Sequence, residues 1–153
     1  PKNIPSDQET SIVHGDFRLD NMIFDPITHE VKAILDWELS TLGNPIADFT
    51  YHMMSWRLPA GAKGLGMMGS DLKSLNIPSE SEYAELYYKK TGREKIDNWD
   101  FYMAYNIFRL AGIAQGIVGR VRDGTASSSE AKNYEAFVPI LGKLGWSIVE
   151  GIK

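Results

Sequence analysis

Short apolar runs broken by turn residues fill the first third of the chain, and a wider, helical spacing of apolar positions takes over after it. Ser11-Ile-Val13, Met22-Ile-Phe24 and Val31-Lys-Ala-Ile-Leu35 read as strands, and Asp25-Pro-Ile-Thr-His-Glu30 is the turn that folds the last two into a hairpin. Asn44-Pro45 predicts a helix start, an N-cap followed by proline at the first helical position, with Ile46, Phe49, Met53 and Trp56 on its apolar side. Gly61, Gly64, Gly66 and Gly69 interrupt the spacing and predict a long loop between Leu58 and Pro78. Ser79 to Glu82 is a capping box, and Gly92 can close the helix it opens, which carries Tyr83, Leu86, Tyr87 and Lys90. Asp97 starts a third helix towards Val121 with Phe101, Tyr105, Phe108 and Ile113 as apolar positions, and its aromatic stripe of Phe101, Tyr105 and Phe108 is expected in the core. Ser127 to Glu130 reads as a second capping box, opening a last helix through Tyr134, Phe137, Leu141, Leu144 and Ile148 that Pro139 is expected to kink. The fold class this predicts is α+β, mainly α: a small β portion and then four helices.

At 153 residues, 43% of them hydrophobic, the chain can build one core and is too short for two, so residues 1–153 are expected to be a single domain. Lysine and arginine total 16 against 20 acids, and a net charge of -4 without a basic run argues against nucleic acid and against adhesion to anionic membranes. The absence of cysteine excludes disulfides, thiolate zinc sites and a cysteine nucleophile. No apolar stretch approaches the roughly 18 residues of a membrane span, and the polar start is unlike a signal peptide. The expectation is a soluble, intracellular protein of open compartment. A chain beginning at Pro1 is also expected to be a piece of a longer one.

Two polar clusters sit where strand-like runs end: His14-Gly15-Asp16-Phe-Arg-Leu-Asp-Asn21 before the hairpin and Asp36-Trp37-Glu38 after it. A hairpin returns its ends to one place, so the Asn21 amide oxygen and the Asp36 carboxylate must converge. Asp16, five residues before Asn21, brings a third oxygen-bearing side chain to the same volume. Such a set suits a hard cation such as Mg2+, which keeps water and phosphate oxygens as its other ligands. Asn21 and Asp36 are then the metal pair, and Asp16 is left to accept a proton from a hydroxyl.

His14-Gly-Asp16-x-x-x-x-Asn21, Ile34-Leu-Asp36-Trp-Glu38 and Gly43-Asn-Pro-x-x-Asp48 together resemble the signature of the aminoglycoside phosphotransferase and choline kinase group, relatives of the protein kinases. The resemblance implies a kinase-like C-terminal lobe, with the catalytic loop and short β-hairpin packed on a helical bundle. It implies ATP-dependent phosphoryl transfer to a small-molecule hydroxyl, with Asp16 as base, Asn21 and Asp36 as Mg2+ ligands and Asp48 as a buried carboxylate bracing the loop. The fuller wording, Phe17 to Asp20 and Trp37 to Gly43, is most similar to the phosphotransferase-like domain fused to acyl-CoA dehydrogenases. That likeness suggests a hydroxyacyl-CoA or related hydroxy acid as substrate, whereas the wider family offers choline-like amines, sugars and aminoglycosides. Departures matter too. The first 11 residues cannot supply the family's N-terminal nucleotide lobe with its phosphate-holding lysine, so the isolated lobe is expected to be inactive. Asn44 stands where the family often has aspartate, and either residue caps a helix.

Other features divide between a role and none. His14 either orients the loop through its ring or is an ordinary buried histidine. Glu38 either reaches the metal through water or is solvated, and Arg18 either meets an anionic substrate group or faces water. His29 and His52 lack the spacing of metal ligands, which also counts against a metal-dependent phosphohydrolase. Gly61 to Gly66 lacks the ending of a phosphate-binding loop. Met53, Met54, Met67 and Met68 are better read as core filling than as an acyl-chain groove. The rival function is a non-catalytic binding module that keeps the fold, whose uncovered apolar surface would favour a homodimer.

Overall fold

The computed structural model describes residues 4–6, 9–61, 66–96 and 98–152. Four short strands come first: β1 (Ser11–Val13), β2 (Met22–Phe24), β3 (Val31–Ile34) and β4 (Thr41–Gly43). β2 and β3 form the expected antiparallel hairpin, with Met22 opposite Ile34 and Ile23 opposite Ala33. Its turn closes on Asp25, whose carboxylate accepts the backbone N–H groups of Ile27 and Thr28, each at 2.9 Å, while His29 adopts the left-handed conformation at φ 57°. Bonds from the Thr28 and Ile27 amides hold the Asp25 carboxyl below its ordinary range. β1 pairs antiparallel with β4, Ser11 opposite Gly43. The hydrophobic pattern did not announce β4, because Thr-Leu-Gly is too short to show alternation. This pairing makes residues 14–40 an excursion whose two ends lie side by side.

Helix α1 (Pro45–Met53) begins where expected, with Asn44 Oδ1 accepting the Ile46 N–H at 2.8 Å. A 3-10 turn, Met54–Trp56, extends it, and Trp56 Nε1 donates to the Pro78 carbonyl at 2.8 Å, pinning the far end of the long loop. Within that loop a Cβ on Gly66 would lie 2.0 Å from the Pro59 carbonyl oxygen, so only glycine fits. Residues 62–65, Gly64 of the glycine-rich stretch among them, lie outside the described residues. The capping box of α2 (Glu80–Thr91) forms as read, and Gly92 closes the helix at φ 69°. α3 (Trp99–Arg122) follows; Asp97, the expected start, lies outside the described residues.

The second capping box does not form. Ser128, not Ser127, caps through a bond from Glu130 N at 3.2 Å, and it caps a 3-10 turn, Ser129–Asn133, so that α4 (Tyr134–Gly151) starts a turn later than expected. α4 runs through Pro139 as one helix.

α3 packs against both α1 and α4. Ile107, Leu110 and Ala114 meet Tyr51, Met54, Phe137 and Leu141 in the main core, while Phe49, Met53 and Met103 form a second cluster beside Tyr87. Asn106, fully buried, donates from Nδ2 to the Ala47 carbonyl at 2.8 Å and to Thr50 Oγ1 at 2.9 Å, a polar cross-link from α3 to α1. The expected core stripe of α3 is corrected here: Tyr105 is 50% exposed and Phe108 77%, and Ile113, another of its apolar positions, is 45% exposed. The buried face is the one carrying Met103, Ile107, Leu110 and Ala114, at the same spacing of three and four. Both stripes satisfy helical periodicity, and α1 and α4 select between them. The methionines also divide, since Met53 and Met54 are buried but Met68 is exposed. Leu86, read as part of the apolar side of α2, is exposed as well.

Candidate active site

β1 delivers His14 and Gly15 to the N-terminal end of α1. Asp48, in the first turn of that helix, accepts the His14 N–H on Oδ2 at 2.8 Å and the Gly15 N–H on Oδ1 at 2.9 Å. The carboxylate is half-buried, not buried as the resemblance implied. Gly15 has φ 83°, and a Cβ there would lie 2.5 Å from the Leu39 carbonyl oxygen, so the position admits no side chain. From the opposite side, Arg109 of α3 donates from Nη2 to the Gly15 carbonyl, and its guanidinium lies over the Tyr51 ring, 4.7 Å from the centroid. The peptide before Asp16 is therefore gripped by helices on both its N–H and its C=O sides.

The His14 ring joins the two polar clusters. The Asp16 amide donates to Nδ1 at 3.2 Å, which leaves the ring proton on Nε2, and Nε2 donates to the Leu35 carbonyl at 2.7 Å. Trp37 covers the imidazole at 4.7 Å between centroids and donates its own Nε1 to the Ile34 carbonyl at 2.8 Å. Of the two readings of His14, the contacts favour orientation of the loop.

Asp16 is held by Asn21, whose Nδ2 donates to the Asp16 carbonyl at 2.8 Å and to its Oδ2 at 3.0 Å. That commits the amide nitrogen and leaves Oδ1 for another partner. The Asn21 carbonyl accepts the Leu35 N–H at 2.8 Å, which brings the loop to the residue before Asp36. Asp36 is exposed and sits at φ 66°, ψ 47°, a left-handed conformation costly for a residue with a side chain. The Tyr51 hydroxyl faces Asp16; burial, and then the negative charge of Asp16, push the phenol up to about 12.

Other predicted positions stand apart. Glu38 is exposed in the 3-10 turn Trp37–Leu39 and makes no hydrogen bond or ion pair with another described residue. Arg18 pairs with Asp20 through Nη2, while its buried Nε has no partner among the described residues. His29 lies in the hairpin turn. His52 is buried among the rings of Phe17, Trp56 and Tyr83, 5.6 to 5.9 Å away, and burial pushes its imidazole down. No cluster of three or more histidine, cysteine or acidic side chains able to hold a metal occurs among the described residues. Asn21 Oδ1 and the Asp36 carboxylate have no hydrogen-bond partner among the described residues, and both are of the oxygen type that a hard ion takes beside water and phosphate oxygens.

Tyr51 and Arg109 are the site residues that the sequence reading missed. Tyr51 lies three residues after Asp48, hence on the same face of α1, a usable signal. Arg109 reaches Gly15 across 94 positions, and no local pattern points to it.

The profile of the phosphotransferase enzyme family matches residues 1–86, more than half of the chain. The chain belongs to that family. It is 45% identical over 147 residues to acyl-CoA dehydrogenase family member 10 of Mus musculus, covering 95% of this chain and 14% of that protein. It is 38% identical over 146 residues to acyl-CoA dehydrogenase family member 11 of Homo sapiens, covering 94% of this chain and 19% of that one. A crystal structure from Ralstonia eutropha JMP134, assigned as an aminoglycoside phosphotransferase, superposes with a TM-score of 0.92 at 47% identity, over 100% of this chain and 47% of its own. The phosphotransferase fold is thus kinase-like. The chain spans only 14% to 19% of these curated relatives. No described helix is long and apolar enough to cross a membrane.

Proposed function

We propose that the chain is the substrate-side lobe of an ATP-dependent kinase acting on a small-molecule hydroxyl. The observation that carries this reading is the hold on Asp16: Asn21 fixes its Oδ2 and carbonyl, while Asp48 and Arg109 fix the peptide before it. A general base must be placed to within hydrogen-bond reach of the proton it takes, and a carboxylate held this way can align a hydroxyl and receive its proton. Asn21, through the oxygen left once its nitrogen is committed, and Asp36 would hold the Mg2+ of a magnesium nucleotide, which supplies charge neutralisation to the phosphoryl group in transfer. His14 sets the spacing between base and metal ligand by bonding both Asp16 N and Leu35 O.

A phosphate-gripping lobe would pack against the strand end. Ile12 at 74% exposure and Leu42 at 71% supply an apolar surface there for it to cover. The acyl-CoA dehydrogenase relatives favour a hydroxyacyl-CoA or hydroxy acid as the acceptor.

The test uses a longer protein in which this lobe is joined to its nucleotide lobe, with 3-hydroxybutyryl-CoA as acceptor. Asp16→Asn should lower phosphoryl transfer from ATP by about 10²- to 10⁴-fold and leave MgATP affinity within a few-fold. A loss of nucleotide affinity as large as the loss of rate would remove Asp16 from the role of base. The 153 residues alone should not turn ATP over and should bind MgATP at best in the millimolar range, about 4 kcal/mol of binding free energy.

A further inference from the structure

A cavity of about 460 Å³, the size of a small-metabolite site, borders the loop of Asp16 at Arg18. Arg18 of the loop forms one wall, Ile117 and Arg120 at the end of α3 another, and Ser127, Ser128 and Glu130 of the α3–α4 connection the third. Among these, Arg120 makes no ion pair with a described residue. Arg18 gives Nη2 to Asp20 but has a buried Nε–H with no acceptor among the described residues. Leaving a buried donor unpaired costs free energy, and a guanidinium N–H is the strongest kind to leave so. The Ser127 hydroxyl makes no hydrogen bond with a described residue, and Ser128 Oγ keeps its own proton available while accepting from Glu130 N. Glu130 is the one acid in the lining, and its Oε2 accepts from Asn133 Nδ2 at 2.7 Å.

We propose that this cavity is the subsite for an anionic group, carboxylate or phosphate, on the molecule whose hydroxyl is presented to Asp16. The proposal rests on the kinase reading above and narrows it: acceptors carrying a negative group are favoured, and cationic amines are disfavoured. Arg18 stands two residues from Asp16, so one ligand can place its hydroxyl at the base and its anion between Arg18 and Arg120. Arg120 supplies one guanidinium, Arg18 the N–H groups that its pairing with Asp20 leaves uncommitted, and the two serines neutral donors on the remaining side. A planar guanidinium pair matches either oxyanion by paired N–H bonds.

The experiment is a backbone amide titration of this chain by nuclear magnetic resonance at constant ionic strength, with inorganic phosphate, acetate and choline as separate probes. Phosphate or acetate should shift the signals of Arg120 and Ala126 to Ser128 saturably, and choline should not. Saturation by phosphate alone assigns a phosphorylated acceptor, and saturation by acetate alone or by both assigns a carboxylate as sufficient. Arg120→Gln, on an exposed side chain, should weaken the anion about tenfold or more, and Arg18→Gln should do the same from the other wall. Shifts absent with both anions, equal with choline, or unchanged in the two variants would overturn the proposal. A parallel arm adds Mn2+ and follows paramagnetic broadening at Asn21 and Asp36. Broadening without anion binding defeats the subsite alone, and anion binding without broadening defeats the kinase reading of the metal pair.

Discussion

Ile12, Ile23, Val31 and Leu42 in the strand region are exposed, whereas Ile46, Met103, Ile107 and Leu141 in the helices are sealed at 0% exposure. The head, residues 9–43, buries only Val13 and His14, and yet it carries Asp16, Asn21 and Asp36. The body, residues 44–152, holds all three hydrophobic clusters and contributes to the site mainly through Asp48, Tyr51 and Arg109. Burial is non-directional, worth about 1.5 to 3 kcal/mol for a large side chain wherever it packs. Placing a base to a fraction of an ångström needs directional contacts, and the head is fastened to the body by those: the His14 and Gly15 N–H groups on Asp48 and the Gly15 carbonyl on Arg109. The body supplies stability, and the head borrows it through a few polar ties.

The largest change should follow from breaking the body. Ile107→Ala opens a cavity where α3 meets α1 and α4 and should cost about 2 to 5 kcal/mol, read as a lowered urea midpoint with every probe moving together. A loss confined to one helix would mean that the body is not one cooperative unit.

Asp48→Ala attacks the head instead. It leaves the His14 and Gly15 N–H groups unpaired, at about 1 to 3 kcal/mol for each that water cannot reach. Amide exchange across residues 11–43 should accelerate, while the global midpoint moves less than in Ile107→Ala. Equal global shifts in the two variants would erase the distinction between head and body.

A smaller effect sharpens the comparison within α3. Phe108→Ser, on the face once expected in the core, should change stability by no more than about 0.5 kcal/mol and improve solubility. A loss several times larger in dilute solution would place that stripe in a buried interface.

The smallest expected effect is one of pH at the seam between the regions, where Phe17 of the loop rests on His52 of α1. Burial holds the His52 imidazole below its ordinary 6.5, so between its folded value and 6.5 the unfolded chain binds more protons. Stability should therefore decline as pH falls through 6.5 and stop declining below the folded value. His52→Phe should flatten that part of the profile. Urea midpoints between pH about 7.5 and 5 check it, and a variant profile parallel to the parent's would show that His52 contributes nothing to the slope.

Much of the local geometry around the candidate site was legible in the sequence because it depends on near neighbours. A hairpin must return its ends, so Asn21 and Asp36 could be brought together on paper, and the structure joins Asn21 to Leu35. Asn44, Ser79 and Gly92 each act within three or four residues, and each forms the cap that its spacing announced. The failure at Ser127 to Glu130 is instructive, since three serines in a row offer three possible caps and the packing of α4 chose the second.

The chain pattern on its own therefore determined the hairpin, the caps at Asn44 and Ser79 and the stop at Gly92, because backbone dihedrals, capping and turn bonds are settled among near neighbours. The tertiary structure decided which of the apolar stripes of α3 faces inward, that β4 closes on β1, and that Tyr51 and Arg109 stand beside the loop of Asp16. Those choices depend on neighbours up to 94 positions away. Helical periodicity shows that a stripe exists, but only the arrival of α1 and α4 selects the one that is removed from water.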